Sequence, residues 1–177
     1  MILLLLACAK EPAPVELPPF EPSPLINNPA RGGPPIFPGA APLPPFDGVS
    51  RATAVYVGEA RCGVCHLAAE QAWTLSHHAR AYETLQTQQR AFDPSCLRCH
   101  STGLGHPGGF SGAASTPELR GVGCEACHGP GSDHVSAPGP GYGRLPKGPA
   151  ACLPCHTEDN SPDFSFTSYW PRIAHDR

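Results

Sequence analysis

The chain has 177 residues and a formal net charge of −3, with 24 prolines, nine cysteines, nine histidines and one methionine. It has no stripe of basic residues suited to a phosphate backbone, so the sequence predicts no nucleic-acid partner. Beyond its first residues, no apolar stretch approaches the roughly 20 residues of a membrane-spanning helix. Membrane attachment would therefore come from a lipid.

Residues 1–8 predict a lipoprotein-type signal segment. This apolar run ends in a sequence that resembles a bacterial lipobox, in which the sulfur of Cys8 would carry the lipid. The run is shorter than the apolar part of an ordinary secretory signal and lacks its positive charge, so the true translation start could lie upstream. A merely apolar N-terminus with a free thiol at Cys8 is the alternative. After a lipidated Cys8, Ala9 would favour sorting to the outer membrane.

Residues 9–51 predict a proline-rich linker. Thirteen of the 24 prolines lie between Glu11 and Ser50, where they prevent both helices and sheet ladders. This composition favours an extended, disordered and semi-rigid tether. An arm that wraps over the following domain through Phe20, Phe37 and Phe46 is the alternative.

Four copies of the pattern C-x-x-C-H follow, and we number them motifs 1 to 4: Cys62–His66, Cys96–His100, Cys124–His128 and Cys152–His156. This pattern attaches c-type haem, because the two thiols can bond to the vinyl groups of one porphyrin and the histidine can then ligate its iron. Zinc knuckles or disulfides would explain the cysteines but not the histidine that follows every pair, a coincidence with a probability on the order of 10⁻⁵. The sequence therefore predicts four covalently bound c-type haems. The predicted attachment points are Cys62, Cys65, Cys96, Cys99, Cys124, Cys127, Cys152 and Cys155, and the predicted proximal iron ligands are His66, His100, His128 and His156.

Residues 52–177 predict one tetrahaem domain that is mostly α with little regular secondary structure. Large aliphatic residues are few there, so the haems would supply much of the buried apolar surface. One long helix is expected from about Leu67 to Gln88, a stretch rich in Ala, Gln, Glu and Leu. Glycine and proline turns join the remaining short elements.

Five further histidines are candidates for the distal iron ligands. They decide whether an iron is six-coordinate or has an open coordination position. His78 shares an apolar helical stripe with Leu75, Tyr82 and Leu85, whereas His77 points about 100° away. His134 follows motif 3 so closely that a neighbouring haem suits it better than the haem of motif 3. His175 lies in an apolar tail, and His106 lies in a glycine-rich turn. His78, His134 and His175 are the preferred distal ligands, while His106 and His77 are the weaker candidates. Met1 is the only methionine, which excludes His/Met ligation.

The sequence resembles the cytochrome c-554 type of multihaem cytochrome c. The resemblance rests on Tyr56-Val57-Gly58, on motifs 1 and 2, on residues between Trp73 and Tyr82, and on Gly123 to His134, which contains motif 3. It extends to Ser161–Phe164 and Tyr169–Pro171 near the end of the chain. It implies a mostly helical domain with haems stacked in close pairs, use as an electron carrier, and ligand roles for His78 and His134. The family's named member has one five-coordinate haem, so one open iron fits the resemblance as well.

The sequence thus predicts an exported cytochrome that passes single electrons between redox partner proteins, an electron carrier rather than an enzyme. Export follows because c-type haem is attached outside the bacterial cytoplasmic membrane, which predicts a periplasmic or cell-surface, lipid-anchored protein. A haem enzyme or sensor with an open iron acting on a small nitrogen or oxygen species is one alternative. A subunit of a larger homo- or hetero-oligomeric cytochrome complex or filament is the other.

Overall fold

A computed structural model describes residues 53–175 of the chain. The predicted signal segment with Cys8 and the predicted linker lie outside the described residues. Within them, the chain forms seven short helices, no strands, and a single antiparallel bridge between Ser101 and Arg120. The helices are α1 (Glu59–Gly63), α2 (Leu67–Thr74), α3 (Ala81–Thr87), α4 (Pro94–His100), α5 (Cys124–His128), α6 (Ser132–Ser136) and α7 (Phe166–Tyr169). Four 3₁₀ turns span His78–Arg80, Pro117–Leu119, Pro149–Ala151 and Trp170–Arg172.

The prediction of a mostly helical fold with little regular secondary structure is confirmed for these residues. None of the described helices combines the length and apolar character needed to cross a membrane.

The single helix predicted from Leu67 to Gln88 is wrong, because the chain breaks between α2 and α3. At the end of α2, both the backbone N–H and the hydroxyl of Ser76 donate to the carbonyl of Trp73, at 2.8 and 2.6 Å. A hydroxyl that bonds a helix carbonyl competes with the helical pattern. The indole N–H of Trp73 donates to the carbonyl of Val122 at 2.8 Å and holds this break against the rest of the fold. Leu75, the residue after α2, is 83% exposed.

The core of the domain is small. Its buried apolar cluster consists of Tyr56, Tyr82, Leu85, Leu97, Phe110 and Leu119. Beside it, the fully buried Thr102 joins two parts of the chain, since its hydroxyl donates to the carbonyl of Gly121 at 3.0 Å and accepts from the N–H of Gly123 at 2.9 Å. Thr102 lies two residues after motif 2 and Gly123 immediately precedes motif 3. The core therefore fixes motifs 2 and 3 relative to one another.

Candidate functional site

A single cavity of about 2140 Å³ dominates the described part of the chain. It is several times larger than the roughly 300–1,000 Å³ of an ordinary small-molecule pocket. Its wall contains all eight motif cysteines and all nine histidines. Close-packed proteins rarely leave voids larger than a water molecule, so a cavity of this size indicates a fold built around large bound groups.

The cysteines of different motifs meet inside this cavity. The thiol of Cys62 in motif 1 lies beside that of Cys124 in motif 3, and the thiol of Cys99 in motif 2 lies beside that of Cys155 in motif 4. Cys127 of motif 3 lies near Cys152 of motif 4. The four attachment points therefore follow one another in space in the order 1, 3, 4 and 2, which differs from their order along the chain.

None of the eight motif cysteines forms a disulfide bond. Within residues 53–175, no three His, Cys, Asp or Glu side chains converge as they would around a single metal ion. The two cysteines and the histidine of each motif instead line the wall of the shared cavity.

Three of the four motif histidines face a histidine from elsewhere in the chain. The ring centres are 6.2 Å apart for His66 and His134, 6.1 Å for His78 and His156, and 5.9 Å for His128 and His175. An imidazole nitrogen lies about 2.0–2.1 Å from a bound transition metal and about 1.1 Å from its ring centre, so two rings on opposite sides of one ion have centres about 6.3 Å apart. These separations fit one iron between the rings of each pair.

Two motif histidines are oriented by backbone carbonyls. The Nδ1–H of His100 donates to the carbonyl of Ala81 at 2.7 Å, and that of His128 donates to the carbonyl of Gly143 at 2.6 Å. This bond fixes the tautomer and leaves the Nε2 lone pair available for a metal, as is usual for metal-bound histidine. His175 makes the same kind of bond to the carbonyl of Ile173 at 3.0 Å. Nδ1 of His156 lies 3.1 Å from the hydroxyl of Ser161.

Burial keeps several of these imidazoles neutral. The pKa of His78 is lowered by burial first, and then by the neighbouring His156 and His77. Burial likewise lowers the pKa of His128 and of His156. A neutral imidazole has the lone pair that metal ligation requires, so these rings are ready to ligate at neutral pH.

Aromatic side chains hold two members of the pairs in place. The ring of Tyr142 stacks on His134 with centres 4.7 Å apart and planes 9° apart, and its hydroxyl donates to the carbonyl of Gly129. Phe164 stacks on His156 at 4.5 Å. The sequence reasoning assigned neither role, because each ring lies eight residues after the histidine that it contacts, in a segment with no periodic pattern.

Glu125 is a further residue that the sequence reasoning missed. It lies between the two cysteines of motif 3, is 1% exposed, and accepts hydrogen bonds from the backbone N–H groups of Val57, Gly58 and Gly131 at 2.7–3.0 Å. Burial raises its pKa, and these three donors oppose that rise. Gly58 directly precedes α1, which leads into motif 1, and Gly131 directly precedes α6, which carries His134. One carboxylate thus joins motif 3, motif 1 and the helix of His134. In the sequence, Glu125 could have been noticed as an acidic residue that directly follows the first cysteine of a motif, in a motif that is followed by Gly-Pro-Gly.

Replacing Glu125 with Ala is expected to lower the melting temperature of the haem-loaded protein by about 10 °C or more. The change leaves three backbone donors without their acceptor, and each such buried group costs about 1–3 kcal/mol. Differential scanning calorimetry measures the loss. Glu83→Ala removes an exposed side chain on α3 and is the matched control. It should change the free energy of unfolding by less than about 0.5 kcal/mol. Equal melts for the two variants would contradict this role of Glu125.

The remaining candidate ligands, His106 and His77, also line the cavity. His106 lies in the turn after motif 2, where its N–H donates to the carbonyl of Gly103 at 2.9 Å. His77 precedes the 3₁₀ turn that carries His78. The structure thus brings every predicted site residue except Cys8, which lies outside the described residues, to the wall of one cavity.

Part of the chain is similar in sequence to known cytochromes. Residues 61–129, which contain motifs 1 to 3, match the family model described as cytochrome c554 and c-prime. Cytochrome c-554 of Nitrosomonas europaea is 38% identical over 95 residues, which cover 45% of this chain and 40% of that protein. The solved reduced state of cytochrome c554 from the same organism is 36% identical over 47% of each chain, with a TM-score of 0.40. The chain thus spans less than half the length of these relatives. In sequence, the matched part of the chain is similar to the cytochrome c-554 type of multihaem cytochrome c.

Proposed function

We propose that this chain is a tetrahaem electron carrier that passes single electrons between redox partner proteins. The observation that carries the proposal is the set of three histidine pairs, each joining a motif histidine to a distant histidine across about 6 Å. Three histidines from other segments of the chain face three motif histidines. Each pair could therefore supply both axial ligands of one iron.

The eight motif cysteines would tether the haems, and His66, His100, His128 and His156 would ligate their proximal sides. His134, His78 and His175 would be the distal ligands for the centres at motifs 1, 4 and 3 respectively. The bound haems would supply one-electron Fe(III)/Fe(II) chemistry. All ligands are imidazoles rather than methionine, which favours low to moderate reduction potentials.

The chain's own residues set the order and rigidity of this path. The contacts Cys62–Cys124, Cys127–Cys152 and Cys155–Cys99 would arrange the centres as 1, 3, 4 and 2, with close pairs at 1 and 3 and at 4 and 2. The carbonyls of Ala81 and Gly143 orient two proximal imidazoles, so little rearrangement would accompany a change in charge. A rigid donor set suits repeated electron transfer.

The second candidate function is binding or conversion of a small nitrogen or oxygen species at motif 2. The three pairs use His134, His78 and His175, so motif 2 has only His106 and His77 left as distal candidates. If neither ligates, the side of the iron opposite His100 would be open to a small molecule. The electron-carrier proposal also includes four features that rest on the sequence alone. These are export, a lipid at Cys8, a linker that acts as a tether, and assembly into a larger cytochrome complex.

Electron paramagnetic resonance of the fully oxidised protein, produced with a c-type maturation system, tests both candidates. We expect four haems per chain by haem-to-protein ratio and at least three low-spin ferric signals. A fourth low-spin signal supports the pure carrier. A stoichiometric high-spin signal that shifts when nitric oxide or nitrite is added supports the second candidate. Fewer than four haems, or high-spin iron at the paired centres, would overturn the assignment.

A further inference from the structure

The carboxyl group of Glu59 lies between two of the attachment sites. Glu59 opens α1, three residues before Cys62, and its carboxyl packs directly on Gly123, the residue before Cys124. The packing is so close that a β-carbon at position 123 would overlap the carboxyl oxygen. A single partly buried carboxyl therefore borders the first cysteine of motif 1 and the first cysteine of motif 3.

No cation balances this carboxyl in the part of the chain that the structure describes. The charged groups that face it are the carboxylates of Glu125 in α5 and Glu118 in the Pro117–Leu119 turn, and the other titratable groups beside it are the thiols of Cys62 and Cys124. Bound haems would convert both thiols into uncharged thioethers. Two carboxylates would then remain as its charged protein neighbours.

This environment brings the pKa of Glu59 into the physiological range. Burial is the largest cause, and Glu125 and Glu118 add to it, while a hydrogen bond from the residue's own backbone N–H opposes them; together they raise the pKa of Glu59 to about 7. A carboxyl in this range is partly protonated near neutral pH, so a small change in nearby charge shifts its protonation.

We propose that Glu59 binds a proton when an electron enters the haem pair attached through motifs 1 and 3. This inference rests on the proposed electron-carrier function. The electron comes from the donor protein and reduces one Fe(III) to Fe(II), and a proton from solvent converts the Glu59 carboxylate to the acid. The added electron repels the negative charge of the ionised carboxylate. The region between them is partly desolvated, so this repulsion is stronger than it would be in water. Electron and proton therefore enter together and leave together.

The sign of the pH dependence follows from this coupling. Protonation stabilises the reduced state, so a higher pH, which removes the proton, lowers the reduction potential. We expect the potentials of the centres at motifs 1 and 3 to fall between about pH 6 and pH 8, by up to about 59 mV for each tenfold fall in proton concentration. Outside this range the dependence on Glu59 should flatten.

Spectroelectrochemical titration of the haem-loaded full chain at a series of pH values tests the inference. In Glu59→Gln, which keeps the size and hydrogen bonding of the side chain without its titration, the slope between pH 6 and pH 8 should fall by at least half at two of the four centres. Glu83→Gln removes an exposed carboxylate on α3 and should keep the parent slope. Equal slopes in the two variants would overturn the role of Glu59.

A second measurement decides the question if Glu59→Gln does not load its haems. In the parent protein, proton uptake on full reduction is measured at pH 7 with a pH indicator in weakly buffered solution. Uptake of a substantial fraction of one proton that disappears at pH 9 supports the inference, and the absence of uptake at pH 7 overturns it. A full haem load with reversible titration leaves the carrier proposal standing in either case, whereas a low haem load in the parent protein is the failure of that proposal instead.

Discussion

A variant in which serine replaces all eight motif cysteines is expected to show no cooperative thermal unfolding transition. The described residues bury only a small apolar cluster, and the largest feature of their interior is a cavity of about 2140 Å³. Several large apolar side chains that line this cavity are not part of the core cluster, including Val64, 82% exposed, and Leu75, 83% exposed. A domain of this size cannot offset its conformational entropy with so small a core, so haem attachment and folding should be one event.

Circular dichroism and calorimetry of the cysteine-free variant provide the measurement. Cys8→Ser is the matched control, because it removes the one cysteine outside the motifs and should leave haem load and melting unchanged. The expected spectrum of the eight-serine variant has much weaker helical bands than that of the parent protein. A cooperative transition at the parent's melting temperature would refute the idea that the haems form the core.

Replacing His134 with Ala is expected to convert one low-spin ferric haem per chain into a high-spin haem. The ring of His134 faces His66 at 6.2 Å, so its removal would open the distal side of the centre at motif 1. His78→Ala and His175→Ala should each open a different centre, and a double variant should give two high-spin haems. Electron paramagnetic resonance counts the converted centres directly.

Added imidazole should restore the low-spin spectrum of each of these variants, which separates loss of a ligand from misfolding. His77→Ala is the comparison, because His77 is absent from the three ring pairs although it is next to His78 in sequence. Its spectrum should match that of the parent protein. A fully low-spin His134→Ala variant without added imidazole would rule out His134 as a ligand.

The location of the candidate site could be predicted from sequence because its chemistry is local. A C-x-x-C-H motif contains two thiols and an imidazole within one helical turn, so the predicted cofactor type and its eight attachment cysteines require no knowledge of the fold. The sparse helical structure was predictable for a related reason, since frequent glycine and proline residues limit the length of regular elements.

The break between α2 and α3 depended on tertiary contacts. Helix propensity favours a continuous helix across residues 67–88, but Ser76 bonds the carbonyl of Trp73, and the indole of Trp73 is held by Val122, about 50 residues away. The turn that results places His78 beside His156. Periodicity along one helix favoured His78 over His77 as a ligand, which stays a prediction, although that single helix is broken between Leu75 and His78.

The sequence by itself determined the candidates for the chemistry: the four motifs, the set of spare histidines and the presence of a single methionine, Met1. Only the tertiary structure decided which distant histidine faces which motif, the spatial order 1, 3, 4 and 2, and the contacts of Glu125 and Glu59. The physical reason is one of range. Covalent attachment depends on neighbours along the chain, whereas ligand pairing and carboxyl burial depend on contacts between segments tens of residues apart, which local composition does not encode.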